Sequence, residues 1–191
     1  MKRTRNLQEV PIAHLYLIGP GGVGKTTVGP LIARRLGWPS IDLDEEFCRN
    51  IENIGDYIRQ KGYESYVIAN SQLFTRLLSE QSTPSVLALS SGFLSTNILP
   101  KIINSNRALA KQTGTSVLIL PNPDTDDAAQ IILARQMTRG FGLNPEAEAA
   151  KYLSRVHEYQ ELADHQIISN KSPEAIAQEI YQLIFPNLKS I

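Results

Sequence analysis

Short apolar runs alternate with helical patterns along most of this chain. Five runs have the length and residue content expected of buried strands, at residues 12–18, 38–44, 85–89, 115–120 and 165–169. After the first run, apolar residues recur at helical spacing, namely Val28, Leu31, Ile32 and Leu36. Such alternation is typical of β-α-β units. It predicts a three-layer α/β/α domain in which a five-stranded parallel sheet lies between helices.

A glycine-rich segment follows the first predicted strand directly. Residues 19–26 read Gly-Pro-Gly-Gly-Val-Gly-Lys-Thr, which fits the phosphate-binding pattern G-x-x-x-x-G-K-[ST]. Its glycines allow backbone N–H groups to converge on one point, where the next helix adds a partial positive charge. The alternative interpretation is a turn that only caps this helix. The residues predicted to bind ATP in this loop are Gly19, Gly21, Gly22, Val23, Gly24, Lys25, Thr26 and Thr27.

Two side chains of this loop have predicted roles in chemistry. Lys25 is expected to reach the outer phosphates, and the hydroxyl of Thr26 is expected to ligate Mg²⁺, which bridges phosphate oxygens. The pattern therefore predicts an enzyme that uses MgATP.

Two aspartates stand at the end of the second predicted strand. Residues two apart on a strand point to the same face, so Asp42 and Asp44 are predicted to face the phosphate loop together. One role for such carboxylates is to support Mg²⁺, and another is to accept a hydrogen bond from a substrate hydroxyl and take up its proton. The alternative is that the acidic run 44–46 begins a helix, where carboxylates favour the positive end of the dipole.

Composition limits the partners of the chain. Nineteen basic residues balance nineteen acidic ones, which removes the diffuse positive field of a general nucleic-acid binder and favours a small-molecule partner. No stretch has the character of a membrane span or a secretory signal. The single cysteine, Cys48, fits a reducing compartment and is expected to be a small buried apolar group. We expect a cytoplasmic monomer with a loose extension at residues 1–10 and one domain at residues 11–191.

The phosphate loop and the run Ile41-Asp42-Leu43-Asp44 together resemble the shikimate kinase family of P-loop kinases. The resemblance extends from about residue 14 to about residue 185. It implies transfer of the γ-phosphate of MgATP to a hydroxyl of shikimate or a related hydroxy acid or polyol. It also implies that Asp42 lies near Mg²⁺ and that Asp44 binds the acceptor hydroxyls and acts as the base.

Further residues take roles from the same resemblance. Arg155 stands where the family has an arginine for the carboxylate of the acceptor, and Gly92 ends a turn whose backbone N–H groups bind substrate. Residues 138–148, with two glycines and a proline, resemble the mobile lid of the family, and Arg139 is the match for its ATP-contacting arginine. The alternative for this segment is a surface loop that carries a solvated arginine.

The acceptor side departs from the family pattern. Where related kinases read roughly G-E-x-x-F-R-x-x-E, Val67 replaces the arginine that grips the substrate carboxylate and Asn70 replaces its acidic partner. Ser90 and Ser91 replace two glycines of the substrate-binding turn. Three explanations remain open: another cation such as Arg59 substitutes, the acceptor is a different hydroxy acid or polyol, or the acceptor site has decayed. In the last case the chain would be a non-catalytic nucleotide-binding switch or module.

Aromatic and histidine residues add little chemistry of their own. Tyr57, Tyr63 and Tyr66 recur on a predicted helix, where a packing stripe is favoured and an acceptor-pocket lining is the alternative. The histidines have no neighbours at metal-ligand spacing, so no transition-metal site is expected.

Overall fold

Five parallel strands form one sheet at the centre of the protein. The computed structural model describes residues 14–138 and 144–186. The strands are β1 (His14–Ile18), β2 (Ser40–Asp42), β3 (Val86–Ala88), β4 (Gly114–Leu120) and β5 (His165–Ile168). Their order in the sheet is β2-β3-β1-β4-β5, and every neighbouring pair is parallel. The predicted α/β fold with a five-stranded parallel sheet is confirmed.

Helices cover both faces of this sheet. Those in the described ranges are α1 (Lys25–Leu36), α2 (Leu43–Asn50), α3 (Ile54–Lys61), α4 (Tyr63–Glu80), α5 (Pro100–Thr113), α6 (Thr125–Met137), α7 (Pro145–Leu153), α8 (Val156–Leu162) and α9 (Pro173–Ile184). Helix α1 packs against α9, and α4 packs against α5. A right-handed crossover puts its helix on one face of the sheet when the chain moves one way across the strands, and on the other face when the chain moves back. Three layers result, as predicted.

The core is centred on the middle strands. Tyr16 and Leu17 of β1, and Val117 and Leu118 of β4, are fully buried because helices cover both faces of the sheet. Full burial of an aliphatic side chain of this size contributes about 1.5–3 kcal/mol. Burial of these side chains therefore holds β1 in a defined position, and the loop that follows β1 is held with it.

The second strand is shorter than the sequence predicts. It ends at Asp42, whose side-chain oxygen accepts hydrogen bonds from the backbone N–H groups of Asp44 (3.0 Å) and Glu45 (3.2 Å). This arrangement is an N-cap, which satisfies two helix donors and begins α2 at Leu43. The acidic run 44–46 occupies the first turn of α2, so the helix-start interpretation is confirmed. The prediction that Asp42 and Asp44 share one strand face is wrong.

One further expectation is wrong, and others concern residues outside the described ranges. Cys48 is exposed, because the buried face of α2 consists of Leu43 and Phe47, so its predicted burial is wrong. The expected extension at residues 1–10 lies outside the described residues, as does Arg139 with residues 140–143 of the predicted lid. None of the helices in the described ranges has both the length and the apolar character needed to cross a membrane.

Candidate functional site

The segment between β1 and α1 is a tight loop. Gly22 and Gly24 have φ angles of 85° and 101°, a region where side-chain-bearing residues are strained. The carbonyl of Gly24 accepts hydrogen bonds from the N–H groups of Thr27 (3.0 Å) and Val28 (2.8 Å). Helix α1 therefore begins directly at the loop and presents the positive end of its dipole there.

Lys25 lies inside this loop. The residue is 9% exposed, and its Nζ donates hydrogen bonds to the carbonyl oxygens of Gly19 (2.8 Å) and Pro20 (2.9 Å). A charged group is a stronger partner for an ammonium than a neutral carbonyl. The loop therefore holds a buried cation that suits an anionic ligand. Thr26 and Thr27 are exposed in the first turn of α1.

A glutamine from α6 packs against the loop. A Cβ atom built on Gly21 would lie 2.5 Å from Nε2 of Gln136, and one built on Gly22 would lie 3.0 Å from its Cγ. Gln136 is buried, and its Oε1 has no hydrogen-bond partner among the described residues. The close packing explains why position 21 has no side chain. No pattern in the sequence predicts this contact between distant segments.

The carboxyl ends of neighbouring strands bring the other candidate residues to the loop. Leu17 of β1 and Asp42 of β2 both pair with Ala88 of β3, so the three strands end at the same edge. Beyond β3, Ser90 follows on that edge. A sheet of this type binds ligands there, where the strand order reverses.

Burial perturbs the carboxyl of Asp44. The residue as a whole is exposed, but protein surrounds its carboxyl on enough sides that desolvation raises the pKa of Asp44. A hydrogen bond from Ser90 and the charge of Lys25 oppose this increase, whereas the charge of Asp42 adds to it. The structure thus brings Lys25 and Asp42 within electrostatic reach of Asp44.

A polar network connects Asp44 to α4. The hydroxyl of Tyr66 donates to Oδ1 of Asp44 at 3.5 Å. Nδ2 of Asn70 donates to the hydroxyl of Tyr66 (3.3 Å) and to Oγ of Ser90 (3.1 Å). Desolvation, followed by the charge of Asp44, raises the pKa of Tyr66, which therefore remains a neutral donor.

A second group of side chains meets at Gly92. A Cβ atom there would lie 2.6 Å from the hydroxyl of Tyr63 and 3.4 Å from Nη1 of Arg155. The hydroxyl of Tyr159 donates to the carbonyl of Ser91, and a hydrogen bond links Tyr159 with Arg155. The absence of a side chain at position 92 leaves room for the guanidinium of Arg155, a half-buried residue. Arg155 itself lies at the N-cap of α8, between α7 and α8, rather than inside a helix.

Three residues on one face of α4 border the site, although the sequence favours a packing role for the tyrosines among them. Tyr63, Tyr66 and Asn70 are spaced i, i+3 and i+7 in α4, and all three face the site. That spacing was visible in the sequence, but it also fits a packing stripe. Tyr57 does pack as a structural residue, because its ring stands edge-on to Phe47 at 5.2 Å.

The missing family arginine has no replacement from α3 or α4. Val67 is 6% exposed and lies in the hydrophobic core. Arg59, the candidate substitute, is on the exposed side of α3, where it is paired with Asp56 at 2.5 Å. Arg155 is therefore the cation that the structure places beside Gly92.

Comparisons with known proteins find shikimate kinases. A family model described as shikimate kinase matches residues 21–185. Shikimate kinase 2 of Sodalis glossinidius (strain morsitans) is 24% identical to this chain. The match covers 93% of this chain and 98% of that protein. The structure of shikimate kinase from Acinetobacter baumannii in complex with shikimate has a TM-score of 0.76 and 28% identity, and covers 93% of this chain and 96% of that chain. Shikimate kinase from Aquifex aeolicus has the same fold, with a TM-score of 0.69, 23% identity, and coverage of 93% and 99%.

Proposed function

This chain belongs to the shikimate kinase family, and we propose that it transfers the γ-phosphate of MgATP to a hydroxyl of a small acceptor. The acceptor class is shikimate or a related hydroxy acid or polyol. One observation carries the proposal. The cation expected to hold the phosphate donor, Lys25, is close enough to influence the carboxyl expected to hold the acceptor, Asp44.

The donor side of the site is assigned to the loop. The N–H groups of residues 19–27 and the N-terminus of α1 bind the phosphates, with Gly19, Gly21, Gly22, Val23 and Gly24 forming the turn. Lys25 exchanges its two carbonyl partners for phosphate oxygens. Thr26 and Thr27 complete the donor site in the first turn of α1.

Oxygen donors that suit Mg²⁺ are present beside the loop. Mg²⁺ takes one or two protein oxygens together with phosphate oxygens and water. The exposed hydroxyl of Thr26 and the carboxylate of Asp42 are of this kind, although one oxygen of Asp42 caps α2. When bound, the ion offsets the negative charge of the phosphates. We therefore assign Thr26 and Asp42 as its protein partners.

The acceptor side is assigned to Asp44, Gly92 and Arg155. Asp44 accepts a hydrogen bond from the acceptor hydroxyl and orients its oxygen toward the γ-phosphorus. Arg155 binds an anionic or hydroxyl group at the other end of the acceptor, next to the backbone of Gly92. As the new oxygen–phosphorus bond forms, the bond to the β,γ-bridging oxygen breaks, and Asp44 takes the hydroxyl proton late in the transfer.

Arg139 and the lid at residues 138–148 complete the proposal. Closure over the phosphates would exclude water and bring Arg139 to the transferring group, where it neutralises developing charge. The chain acts on its own as a monomer in the cytoplasm under this proposal.

The test is ADP formation from MgATP in the presence of shikimate, quinate, gluconate and other polyols, each added separately. We expect at least one compound to stimulate ADP formation well above the acceptor-free rate, and we expect the Lys25→Ala variant to lose that stimulation. A flat, acceptor-independent rate across the panel would contradict the proposal. It would support the alternative of a nucleotide-binding switch or module with a decayed acceptor site.

A further inference from the structure

The amide of Gln136 lies against the phosphate loop at the place where the outer phosphates of ATP are expected. Nζ of Lys25 is held by the carbonyl oxygens of Gly19 and Pro20, and the lysine of such a loop is the residue that reaches the β- and γ-phosphates. Gly21 is the next residue of the loop, and Nε2 of Gln136 lies 2.5 Å from the position that a Cβ atom on Gly21 would occupy. The amide therefore borders the part of the loop that would receive the outer phosphates.

A small cavity lies between the phosphate loop and the acceptor side of the site. Its volume is about 20 Å³, and the residues that line it include Pro20, Gly21, Ser91, Gln136 and Arg155. A space of this size holds about one water-sized group, so it suits the end of a polyphosphate and not a whole nucleotide. Because loop residues and Arg155 line the same cavity, the amide of Gln136 stands between the two halves of the proposed site.

Packing of α6 against the loop does not require an amide at position 136. Ile132, one turn earlier in α6, already packs there, since its Cγ2 atom lies 3.6 Å from the position of a Cβ atom on Gly22. Cγ of Gln136 makes the same kind of contact at 3.0 Å. The polar end of this side chain differs, because Oε1 is buried without a hydrogen-bond partner among the described residues. Such an oxygen is unfavourable for folding, so the stability of the fold does not account for the amide.

The chemistry of an amide suits a phosphate oxygen. Its NH₂ group has two hydrogens to donate, and a hydrogen bond to an anionic oxygen is about twice as strong as one between neutral groups. The amide is also uncharged, so its burial avoids the large desolvation cost of a second cation. Lys25 already supplies a buried positive charge in the same loop.

We propose that Gln136 is a further ATP-binding residue, whose NH₂ group donates a hydrogen bond to an oxygen of the γ-phosphate and holds that group between the loop and the acceptor. This inference rests on the proposed function, since it takes residues 19–27 as the ATP site. ADP has no γ-phosphate and cannot make this contact. The amide should therefore favour the binding of ATP over that of ADP.

The experiment is calorimetric titration of the folded protein with MgADP and, separately, with the magnesium complex of AMPPNP, an ATP analogue that keeps the γ-phosphate. The measured quantity is the ratio of the Kd for MgADP to the Kd for Mg-AMPPNP. The test variant is Gln136→Met, which keeps an unbranched side chain of similar length and removes the amide.

Two further variants are controls for this ratio. Gln130→Met makes the same exchange at an exposed position of α6 and should leave both dissociation constants unchanged. Ile132→Val reduces the packing of α6 against the loop without removing a hydrogen-bond donor. Any loosening of the loop in Ile132→Val should change both constants by the same factor and leave their ratio unchanged.

We expect Gln136→Met to bind Mg-AMPPNP at least about tenfold more weakly than the wild type, the value of one hydrogen bond to a charged group. It should bind MgADP like the wild type, so the ratio should fall by the same factor. It should also unfold at a temperature no lower than the wild type, because it removes a buried oxygen that has no partner among the described residues.

A wild-type ratio in folded Gln136→Met would overturn the inference, even if both affinities fell, because a purely structural side chain affects the two nucleotides alike. If Gln136→Met does not fold, Gln136→Leu also removes the amide and should lower the ratio. Failure of both variants to fold would assign a structural role to Gln136 and overturn the inference as well.

The same titrations separate this inference from the proposed function. No acceptor and no turnover are needed. If the wild type binds both nucleotides and the ratio does not respond to Gln136→Met, the nucleotide site stands and only the role of Gln136 is wrong. If the wild type binds neither nucleotide, the proposed function fails and this inference fails with it.

Discussion

The hydroxyl of Tyr63 lies 2.6 Å from the position that a Cβ atom on Gly92 would occupy. The guanidinium of Arg155 lies 3.4 Å from the same position. These two side chains come from α4 and from the start of α8, which are far apart in the sequence. Gly92 is therefore the point at which these two segments come together in the proposed acceptor site.

A methyl group at this point should impair acceptor binding. Gly92→Ala must displace Tyr63 and crowd Arg155, so we expect KM for the acceptor to rise by about tenfold, equivalent to about 1.4 kcal/mol. Affinity for MgADP, measured by calorimetry, should not change. Gly55→Ala, which adds the same methyl group in α3 outside the acceptor site, is the control and should leave both values unchanged. Normal KM in Gly92→Ala would show that the acceptor binds elsewhere.

We expect the carboxyl of Asp44 to support turnover but to lower the free energy of unfolding. Because its pKa is raised in the folded protein, the ionised form at neutral pH is less favourable folded than unfolded. Asp44→Asn should therefore increase the unfolding temperature at pH 7 and reduce turnover by about 10²- to 10⁴-fold, the contribution typical of a general base. Thermal unfolding and steady-state kinetics check the two effects.

The stabilisation of Asp44→Asn should also depend on pH. It should be largest above the raised pKa of Asp44 and should shrink as the pH falls below it, because the wild-type carboxyl then becomes neutral. Asp56→Asn, which removes a carboxylate paired with the exposed Arg59, should show neither effect. Unimpaired turnover in Asp44→Asn would exclude Asp44 as the base.

The pair Val67 and Asn70 should respond to substitution as a unit. Val67→Arg alone places an unpaired charge in the core and should lower the free energy of unfolding by about 3 kcal/mol or more. Adding Asn70→Glu supplies a partner, so the double variant should recover part of that loss. A charge-assisted pair with a carboxylate substrate is worth about 2–4 kcal/mol, so kcat/KM for shikimate should be higher in the double variant than in the wild type.

Denaturant unfolding of the two single variants and the double variant measures the coupling, and a shikimate titration measures the activity. Strictly additive losses of stability would show that the two side chains do not meet. Saturation of the wild-type protein at low shikimate concentration would show that it does not need the missing arginine.

Most of the fold could be predicted from the sequence because its signals are local. The buried strands β1 and β4 and the glycine-rich loop between β1 and α1 are continuous segments of 5 to 7 residues with one dominant pattern. The end of β2 was placed two residues late. The same residues also contain Asp42, which fits the pattern of a helix N-cap. This cap determines where the strand ends.

The site was only partly predictable because its walls come from distant segments. From the sequence we expect Lys25, Asp44, Gly92 and Arg155 in the site, and the structure places Lys25 near Asp44 and Gly92 next to Arg155. The contact of Gln136 with Gly21 joins residues more than 100 positions apart, and no periodicity encodes it. The roles of Arg139 and of the lid at residues 138–148 remain predictions from the sequence.

Acid should destabilise the protein through a buried histidine. His14 is 4% exposed at the start of β1, burial lowers its pKa, and its Nδ1 has no partner among the described residues. The unfolded chain takes up a proton below about pH 6.5 while the folded chain does not, so stability should fall as the pH decreases below that value. The slope due to one such group is at most about 1.4 kcal/mol per pH unit.

Denaturant unfolding between pH 8 and pH 5 measures this effect. His14→Phe keeps an aromatic ring in the strand and should flatten the profile over that range, whereas His157→Gln, on the exposed side of α8, should not. Equal acid sensitivity of His14→Phe and the wild type would assign the loss of stability to other groups.

Calorimetric titration of the folded protein with MgADP tests the central claim most directly. The wild type should bind with a stoichiometry of one. Lys25→Ala, which removes the buried ammonium from the loop, should stay folded and bind at least about tenfold more weakly, as expected for loss of a charge-assisted phosphate contact. Lys111→Ala, in the last turn of α5, is the control and should bind like the wild type. Absence of MgADP binding to folded wild-type protein would contradict the assignment of residues 19–27 as a nucleotide site and, with it, the proposed phosphoryl transfer.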